Sequence, residues 1–396
     1  MESHVKEWLN LIVRWIHIVF GIAWIGASFY FVFLENSLNR TENIRDEIAG
    51  DLWAVHGGGF YFLEKYKVAP KEIPDRLHWF KYEAYFTWLS GFILLWIVYY
   101  ADAHVYMVDP AVSDITPGAA IALGVGVLIG SWLVYDLLCK SKLVNQPIQF
   151  SLVMLLFVSV VAYGLCQVLS ARAAYMHVGA MLGTWMVANV FMVIIPSQKA
   201  MVNAAKSGRP LNPQLGIRAG RRSLHNNYFT LPVIFVMMSN HFPSTFGHQF
   251  NWAILIGLFV ISAGVKHYFN LAEQGKSNSW LVPAAAIGLI GLAMITAPKT
   301  NVSSCDEDEI VTIAQVQEII NNRCISCHSI NPTDPEQAFA PNGMMFDTPE
   351  QILLNVQRIK VRAVLTNTMP QGNKTNMTEE ERNLLGCWID QGAVIE

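Results

Sequence analysis

The sequence predicts an all-α protein in two parts, a polytopic transmembrane helix bundle over residues 1–300 and a small soluble domain over residues 305–396. The first observation is composition, because 53% of the 396 residues are hydrophobic and only 14% are charged, unlike the average soluble protein. The second is charge distribution, since residues 305–396 carry six Lys and Arg against 14 Asp and Glu, whereas residues 1–304 carry 21 against 16. The acidic tail argues against a nucleic-acid partner.

Eight apolar runs define the predicted membrane part. About 20 residues span a hydrocarbon core roughly 30 Å thick, and only the sixth run, which contains Pro232, is clearly shorter than this. The first run lacks a signal-peptide cleavage site, so we expect it to be retained as a span. The predicted spans are residues 9–33, 84–101, 118–138, 148–169, 175–195, 228–242, 251–270 and 281–298. A seven-span alternative omits the sixth.

Lys and Arg residues are concentrated in alternate loops. Loops 34–83 and 196–227 hold seven and six of them, whereas loops 102–117 and 243–250 hold none. Because these residues collect in cytoplasmic loops, eight spans place the N-terminus and the soluble domain on the outer side of the membrane. Seven spans would place that domain in the cytoplasm.

The two halves of the membrane part are similar at an offset of about 160 residues. Trp-Ile-His at 15–17 mirrors Tyr-Met-His at 175–177, and Leu-His pairs at 77–78 and 224–225 each precede a Tyr-Phe-Thr triplet. A parallel duplication of four spans, a 4+4 repeat, predicts this pattern. Chance matches in an aromatic-rich membrane sequence are the alternative.

The most specific motif is C-x-x-C-H at residues 324–328. Two thiols three positions apart attach one porphyrin and the adjacent imidazole ligates its iron, so we expect Cys324, Cys327 and His328 to bind one covalent haem c. A thioredoxin-like pair or half of a zinc site are alternatives, but no second C-x-x-C follows. Met369, in a loop with Pro370, is the expected second iron ligand. The alternative is that Met369 only packs in the interior of the domain and does not bind the iron.

Helices are predicted on both sides of this motif, one over residues 309–322 and one that begins after Thr378 with an acidic first turn. The order of helix, haem motif, Met-Pro loop and closing helix resembles a small class I cytochrome c. Cys305 and Cys387 lie at the two ends of this domain and could form a disulfide in an oxidising compartment.

Two histidines lie within predicted spans, where a polar residue is a functional candidate. His17 in the first span and His177 in the fifth are at matching depths, and Gly21 on the stripe of His17 leaves room for a flat ring. We therefore consider a non-covalent haem b between His17 and His177. The alternative is that both imidazoles form hydrogen bonds within the helix bundle.

A polar cluster on the cytoplasmic side is the candidate for catalysis. Arginine and amide side chains can orient a planar anion, and a histidine can take its proton near neutral pH. The candidates are His56, His78, Arg222, His225 and Asn226. The absence of G-x-S-x-G argues against a hydrolase, and the absence of Walker and G-x-G-x-x-G patterns argues against nucleotide chemistry. The alternative for Arg222 is that it lies at the membrane surface and only helps to determine the topology of the chain.

The chain resembles the bacterial membrane-bound urate oxidase family over essentially its whole length. The likeness lies in the apolar spans joined to a C-terminal cytochrome c and in the stretches at residues 14–17, 21–26 and 56–61. It implies oxidation of urate to 5-hydroxyisourate in purine breakdown, with electrons passed to cytochrome c and not to oxygen. The residues that follow a family motif are Cys324, Cys327, His328 and Met369. The urate-contacting residues above are not among them.

The expected partners are urate, the lipid bilayer, and a periplasmic cytochrome c or terminal oxidase that accepts electrons from the acidic domain. A cytoplasmic urate site raises a difficulty, because one electron hop across a core roughly 30 Å thick is too slow. Either a relay cofactor lies between, or urate binds near the outer face. The rival function is an electron-transfer membrane cytochrome that oxidises a quinol or serves a partner dehydrogenase.

Overall fold

The computed structural model describes residues 2–41, 43–70, 72–276, 278–297, 310–335, 337 and 339–395. Within these ranges the chain is mostly helical. Residues 2–297 form a helix bundle, and residues 310–395 form a smaller helical unit with its own apolar core, which we name the C-terminal unit.

The bundle is built from long helices joined by loops and single turns. Its helices are α1 (Glu2–Ser37), α2 (Tyr82–Leu95), α3 (Ala103–Tyr106), α4 (Pro117–Lys140), α5 (Pro147–Cys166), α6 (Ala171–Ala188), α7 (Ile195–Lys206), α8 (Pro213–Ser239), α9 (Pro243–Phe246), α10 (Asn251–Glu273) and α11 (Leu281–Ile295). Segments of π-helix follow α2 at Trp96–Tyr100 and α6 at Asn189–Ile194. Such segments are often found at functional sites.

The predicted spans can be compared with these helices. Within the described residues, five helices are long and apolar enough to cross a membrane, namely His4–Ser37, Pro117–Lys140, Pro147–Cys166, Ala171–Lys206 and Asn251–Glu273. Helix α11 is apolar but shorter. The second and sixth predicted spans fall on α2 and α8, and with the eighth they stay predictions. The sixth run looked short because it is only the apolar end of α8, whose first half is polar.

Helix α6 is the centre of the bundle. It packs against α2, α4, α5 and α8, and its side chains Tyr175, Leu182 and Trp185 are fully buried. The Trp185 ring stacks on Tyr135 of α4 with the ring centroids 4.9 Å apart, and its Nε1–H donates to Ser131 at 2.9 Å. Aromatic packing of this kind fixes the positions of the helices relative to one another, and with them the positions of their polar side chains.

An antiparallel hairpin is an addition to the predicted all-α fold. Strands β1 (Ile48–His56) and β2 (Gly59–Tyr66) are joined through Gly57 and Gly58, whose φ angles are 58° and 79°. Glycine adopts positive φ without steric cost, so this pair permits a two-residue turn. Cross-strand aromatic contacts then stabilise the ladder.

The C-terminal unit is organised by its first and last helices. Its helices are α12 (Ile313–Arg323), α13 (Pro349–Leu354), α14 (Val356–Ile359) and α15 (Glu379–Asp390). Helices α12 and α15 pack together through buried side chains that include Ile320, Leu385 and Trp388. The prediction that Thr378 caps the closing helix is confirmed, since its side chain accepts from the Glu381 N–H at 3.3 Å. The predicted disulfide between Cys305 and Cys387 stays a prediction, because Cys305 lies outside the described residues.

The C-terminal unit contacts one end of the bundle, which we name the proximal face. This face is formed by the N-terminal turns of α1 and by loops 102–117 and 243–250. Gln371 Nε2 donates to the Val105 carbonyl oxygen at 3.4 Å. A Cβ added to Gly247 would lie 2.9 Å from Thr366, so the backbone approaches the C-terminal unit closely there.

The opposite end of the bundle is the distal face. There Asn36 at the end of α1 donates to Glu273 at the end of α10 at 2.8 Å. The two Lys- and Arg-rich loops also meet, because Arg76 and Lys81 share a surface cleft with Lys199. Loops that were expected on one side of a membrane therefore share one face of the bundle. Which side each face occupies stays a prediction.

Candidate functional site

The C-x-x-C-H motif follows α12 in a single turn, with the His328 N–H donating to the Cys324 carbonyl at 2.9 Å. The His328 residue is 9% exposed and its ring stacks on Phe346, with centroids 4.8 Å apart. Its Nδ1 lies 3.0 Å from the Met344 carbonyl oxygen. Because a carbonyl only accepts, Nδ1 carries the proton and Nε2 keeps a free lone pair, as an iron ligand must. Burial lowers the pKa of His328 and so keeps the ring neutral.

A cavity of about 850 Å³ lies between the C-terminal unit and the proximal face, and we name it the interface cavity. Its lining includes Cys324, Cys327, His328 and Met369. The Met369 backbone is fixed from two sides, since its N–H donates to the Arg362 carbonyl at 2.9 Å and its carbonyl accepts from Arg382 at 2.7 Å. Two thiols, one imidazole and one thioether are the groups that a covalent haem with His/Met ligation requires, so this lining fits that cofactor.

The same residues do not fit a zinc site. Among the described residues, no group of three His, Cys, Asp or Glu side chains could hold a metal ion.

The bundle side of the interface cavity is cationic. Arg14 of α1 and Arg172 of α6 line it, together with Asn240. Arg14 donates to Asn10 at 3.0 Å, and Arg172 donates to the Asn240 side-chain oxygen. In the described part of the chain neither guanidinium has a carboxylate partner. The cavity thus combines the haem-binding residue types with two positive charges that the protein does not neutralise.

Three of the five predicted catalytic residues meet near the distal end of the bundle. Arg222 is 3% exposed and donates to Asp136 at 2.5 Å and to Asn189 at 2.9 Å. Asn189 donates in turn to Asn226 at 2.8 Å. The predicted proximity of Arg222 and Asn226 is thus found, but their partners are protein groups.

His225 belongs to the same network. Its Nδ1 lies 2.9 Å from the Tyr135 hydroxyl, which also accepts from Asn189 at 2.9 Å. None of the buried polar atoms of this network lacks a partner. A buried network that is satisfied internally rigidifies the bundle, although His225 Nε2 has no hydrogen bond to another described side chain. The geometry therefore favours a structural role for Arg222 and Asn226, whereas the catalytic role of His225 stays a prediction.

His56 and His78 are not brought to this network. His56 ends β1 at the exposed hairpin turn, and its side chain is exposed. His78 is also exposed, and its ring contacts Phe80 with the centroids 4.5 Å apart. The geometry gives neither histidine a catalytic partner among the predicted residues.

His17 and His177 are both engaged within the bundle. His17 Nδ1 lies 2.8 Å from the Thr87 carbonyl, and its ring packs on Gly91. His177 Nδ1 lies 2.8 Å from the Ala173 carbonyl, and its Nε2 accepts from Tyr100 at 3.1 Å. Both ring nitrogens of His177 are thus occupied, and the described geometry gives no support to a haem b between the two histidines.

Sequence reasoning missed several residues of these sites. Asp136 and Asn189 are polar residues within predicted spans, the same signal that singled out His17. Arg172 was counted only as a loop charge. Asn240 lies in the sixth predicted span, so a list of every polar residue in the apolar runs would have found Asp136, Asn189 and Asn240.

The comparisons with known proteins bear on the bundle. The family model described as Urate oxidase N-terminal matches residues 3–297, which is most of the chain. No curated protein and no solved structure matches. The matched range contains the bundle side of the interface cavity and ends before the C-x-x-C-H motif. Because the match covers well over half of its residues, the chain belongs to the urate oxidase N-terminal family.

Proposed function

We propose that this protein is a membrane-bound oxidoreductase that converts urate to 5-hydroxyisourate and passes the electrons to a haem c in its own C-terminal unit. The family match supports urate as the substrate. The C-x-x-C-H motif, with the His328 tautomer and Met369 in one cavity, supports the haem. In this proposal residues 1–300 carry the urate chemistry and residues 305–396 are a cytochrome c domain.

The single observation that carries the proposal is the interface cavity. It is lined on one side by residues of the family-matched bundle and on the other by Cys324, Cys327, His328 and Met369. A substrate bound to the bundle here would lie beside the electron acceptor, without crossing the roughly 30 Å of a membrane core.

The reaction balances without molecular oxygen. Urate and one water yield 5-hydroxyisourate, two electrons and two protons, and the new C5–O bond takes its oxygen from the water. A haem held by Cys324, Cys327, His328 and Met369 would supply one-electron chemistry, so a turnover would need two successive transfers to an onward acceptor. The Met344 carbonyl and Phe346 hold the His328 ring in the ligating tautomer and orientation.

The proposal includes a location and partners. The bundle lies in the inner membrane of a bacterium with its proximal face in the periplasm, as the charge distribution of the loops predicts. The acidic C-terminal unit then docks a basic periplasmic cytochrome c or a terminal oxidase.

The test is anaerobic addition of urate to the purified full-length protein, followed by the visible spectrum of haem c. We expect the reduced α-band to appear, and 5-hydroxyisourate to form when a one-electron acceptor such as ferricyanide is supplied. A spectrum that stays oxidised with urate but is reduced by a quinol would instead identify a quinol-oxidising cytochrome. Pyridine haemochrome analysis of the same sample establishes which haems are present.

A further inference from the structure

We propose that urate binds on the bundle side of the interface cavity, between Arg14 and Arg172, and transfers its electrons into the C-terminal unit without a relay cofactor. This inference rests on the proposed urate oxidation and adds the position and the residues of the substrate site. It moves that site from the distal cluster predicted from sequence to the proximal face.

The charge of the cavity is the first argument. Three carboxylates of the described residues line the cavity. Asp102 and Asp334 are paired with Lys6 and Lys374, and the Glu7 carboxylate lies 3.9 Å from His4 Nδ1. Arg14, Arg172 and Arg362 line the same cavity and have no carboxylate partner in the described part of the chain. Cations that share a cavity repel one another, and an anionic ligand between them removes that repulsion.

The hydrogen-bonding groups are the second argument. Arg172 donates from Nε to Asn240 and also interacts with the Tyr99 hydroxyl, and N–H groups of its terminal nitrogens remain as donors. The Asn240 oxygen accepts from Arg172 and from Tyr99, so its amide N–H groups remain to donate. Urate is an anion at neutral pH, with carbonyl oxygens beside ring nitrogens along its edges. A planar guanidinium can donate to such an edge with two parallel hydrogen bonds.

Other polar sites in the bundle are less suitable. The Arg222 network is satisfied by protein groups. Asn227 Oδ1 and Asn270 Nδ2 are buried without a partner, but Asn270 is less than one helical turn from Glu273 on the distal face. A substrate there would be separated from the C-terminal unit by most of a membrane core roughly 30 Å thick.

The experiment measures urate binding apart from turnover. Full-length protein is reduced with ascorbate under anaerobic conditions, so that no oxidation occurs, and the Kd for labelled urate is measured by equilibrium dialysis. The variants are Arg14→Gln, Arg172→Gln and the conservative Arg172→Lys. The matched controls are Arg221→Gln, a cation on the distal side, and Asn270→Ala at the competing site. Haem content is measured for every sample.

We expect Arg14→Gln and Arg172→Gln to raise the Kd by about tenfold or more, Arg172→Lys to raise it less, and both controls to leave it unchanged. Normal haem content in the two Gln variants distinguishes loss of urate binding from loss of the cofactor. The inference is overturned if both Gln variants bind urate normally, or if only Asn270→Ala weakens binding. It is also overturned if the Gln variants lose haem while the molecules that keep it bind urate like wild type. Wild-type protein that neither binds nor oxidises urate would overturn the proposed function itself.

Discussion

Arg222 donates to Asp136 across the interior of the bundle, from Nη2 to Oδ1 at 2.5 Å, and its Nη1 donates to Asn189 at 2.9 Å. The Asp136 carboxylate also pairs with Lys140 one turn later. An ion pair held in this way links α4 to α8 directly, and through Asn189 it also links the π-helical segment after α6.

The first prediction is that Arg222→Met destabilises the protein. The substitution leaves Asp136 with only Lys140 and leaves the Asn189 oxygen without its donor. We expect a loss of about 3 kcal/mol in the free energy of unfolding, the lower end of the effect of breaking a buried ion pair. Unfolding in mixed micelles measures it. The neighbouring Arg221→Met should change stability by less than about 0.5 kcal/mol. Unchanged stability with weakened urate binding would instead assign Arg222 to the substrate site.

The second prediction concerns two glycines of α4. A Cβ at Gly124 would lie 2.5 Å from His177 Nε2, whereas a Cβ at Gly126 would meet nothing within 4 Å. Gly124→Ala should therefore destabilise the bundle by about 1–3 kcal/mol through overpacking. Gly126→Ala should be neutral or stabilising by up to about 1 kcal/mol, because alanine favours the helix. Thermal unfolding of the two variants compares them directly, and equal effects would refute the tight packing at His177.

The third prediction tests the iron ligand. If Met369 supplies the thioether, Met369→Ala should remove the near-infrared sulfur-to-iron band while the covalent haem stays attached through Cys324 and Cys327. Met345→Ala is the matched control, since Met345 does not line the interface cavity. A spectrum that survives Met369→Ala would show that Met369 only packs.

The fourth prediction is a pH dependence in the C-terminal unit. Burial acts to raise the pKa of Glu381, but hydrogen bonds from Arg323 outweigh it, and the pKa of Glu381 is below its ordinary value of 4.5. The folded state therefore binds this proton less readily than the unfolded state. Its stabilisation is complete above about pH 4.5 and is lost as the pH falls through the lower, folded-state pKa.

Peptide-resolved amide exchange of the full-length protein measures this effect. We expect the protection of α12 and α15 to fall below about pH 4.5, and Glu381→Gln to reduce that dependence. Glu379→Gln is the control, because the Glu379 side chain is 73% exposed. The idea fails if the two variants lose protection along the same pH curve as wild type.

The sequence predicted what depends on local pattern. The apolar runs located the long helices because a helix in a bilayer satisfies its own backbone, whatever its neighbours. The capping Thr378 was likewise predicted correctly, since a cap acts over a few consecutive positions. The haem motif at residues 324–328 is equally local, and its function stays a prediction. The hairpin of β1 and β2 was missed, although its Gly57-Gly58 turn is also a local signal.

The candidate substrate site could not be predicted, because it depends on which distant residues share a cavity. Arg14 and Arg172 are far apart in the chain, and only the packing of α1 and α6 against the C-terminal unit brings both to the interface cavity. Arg222 and Asn226 are close in sequence and looked like a site, yet tertiary contacts from Asp136, Asn189 and Met186 satisfy them. Residue types and helix periods are properties of the chain alone. Whether a buried polar group has a protein partner or is left for a ligand depends on every helix that packs around it.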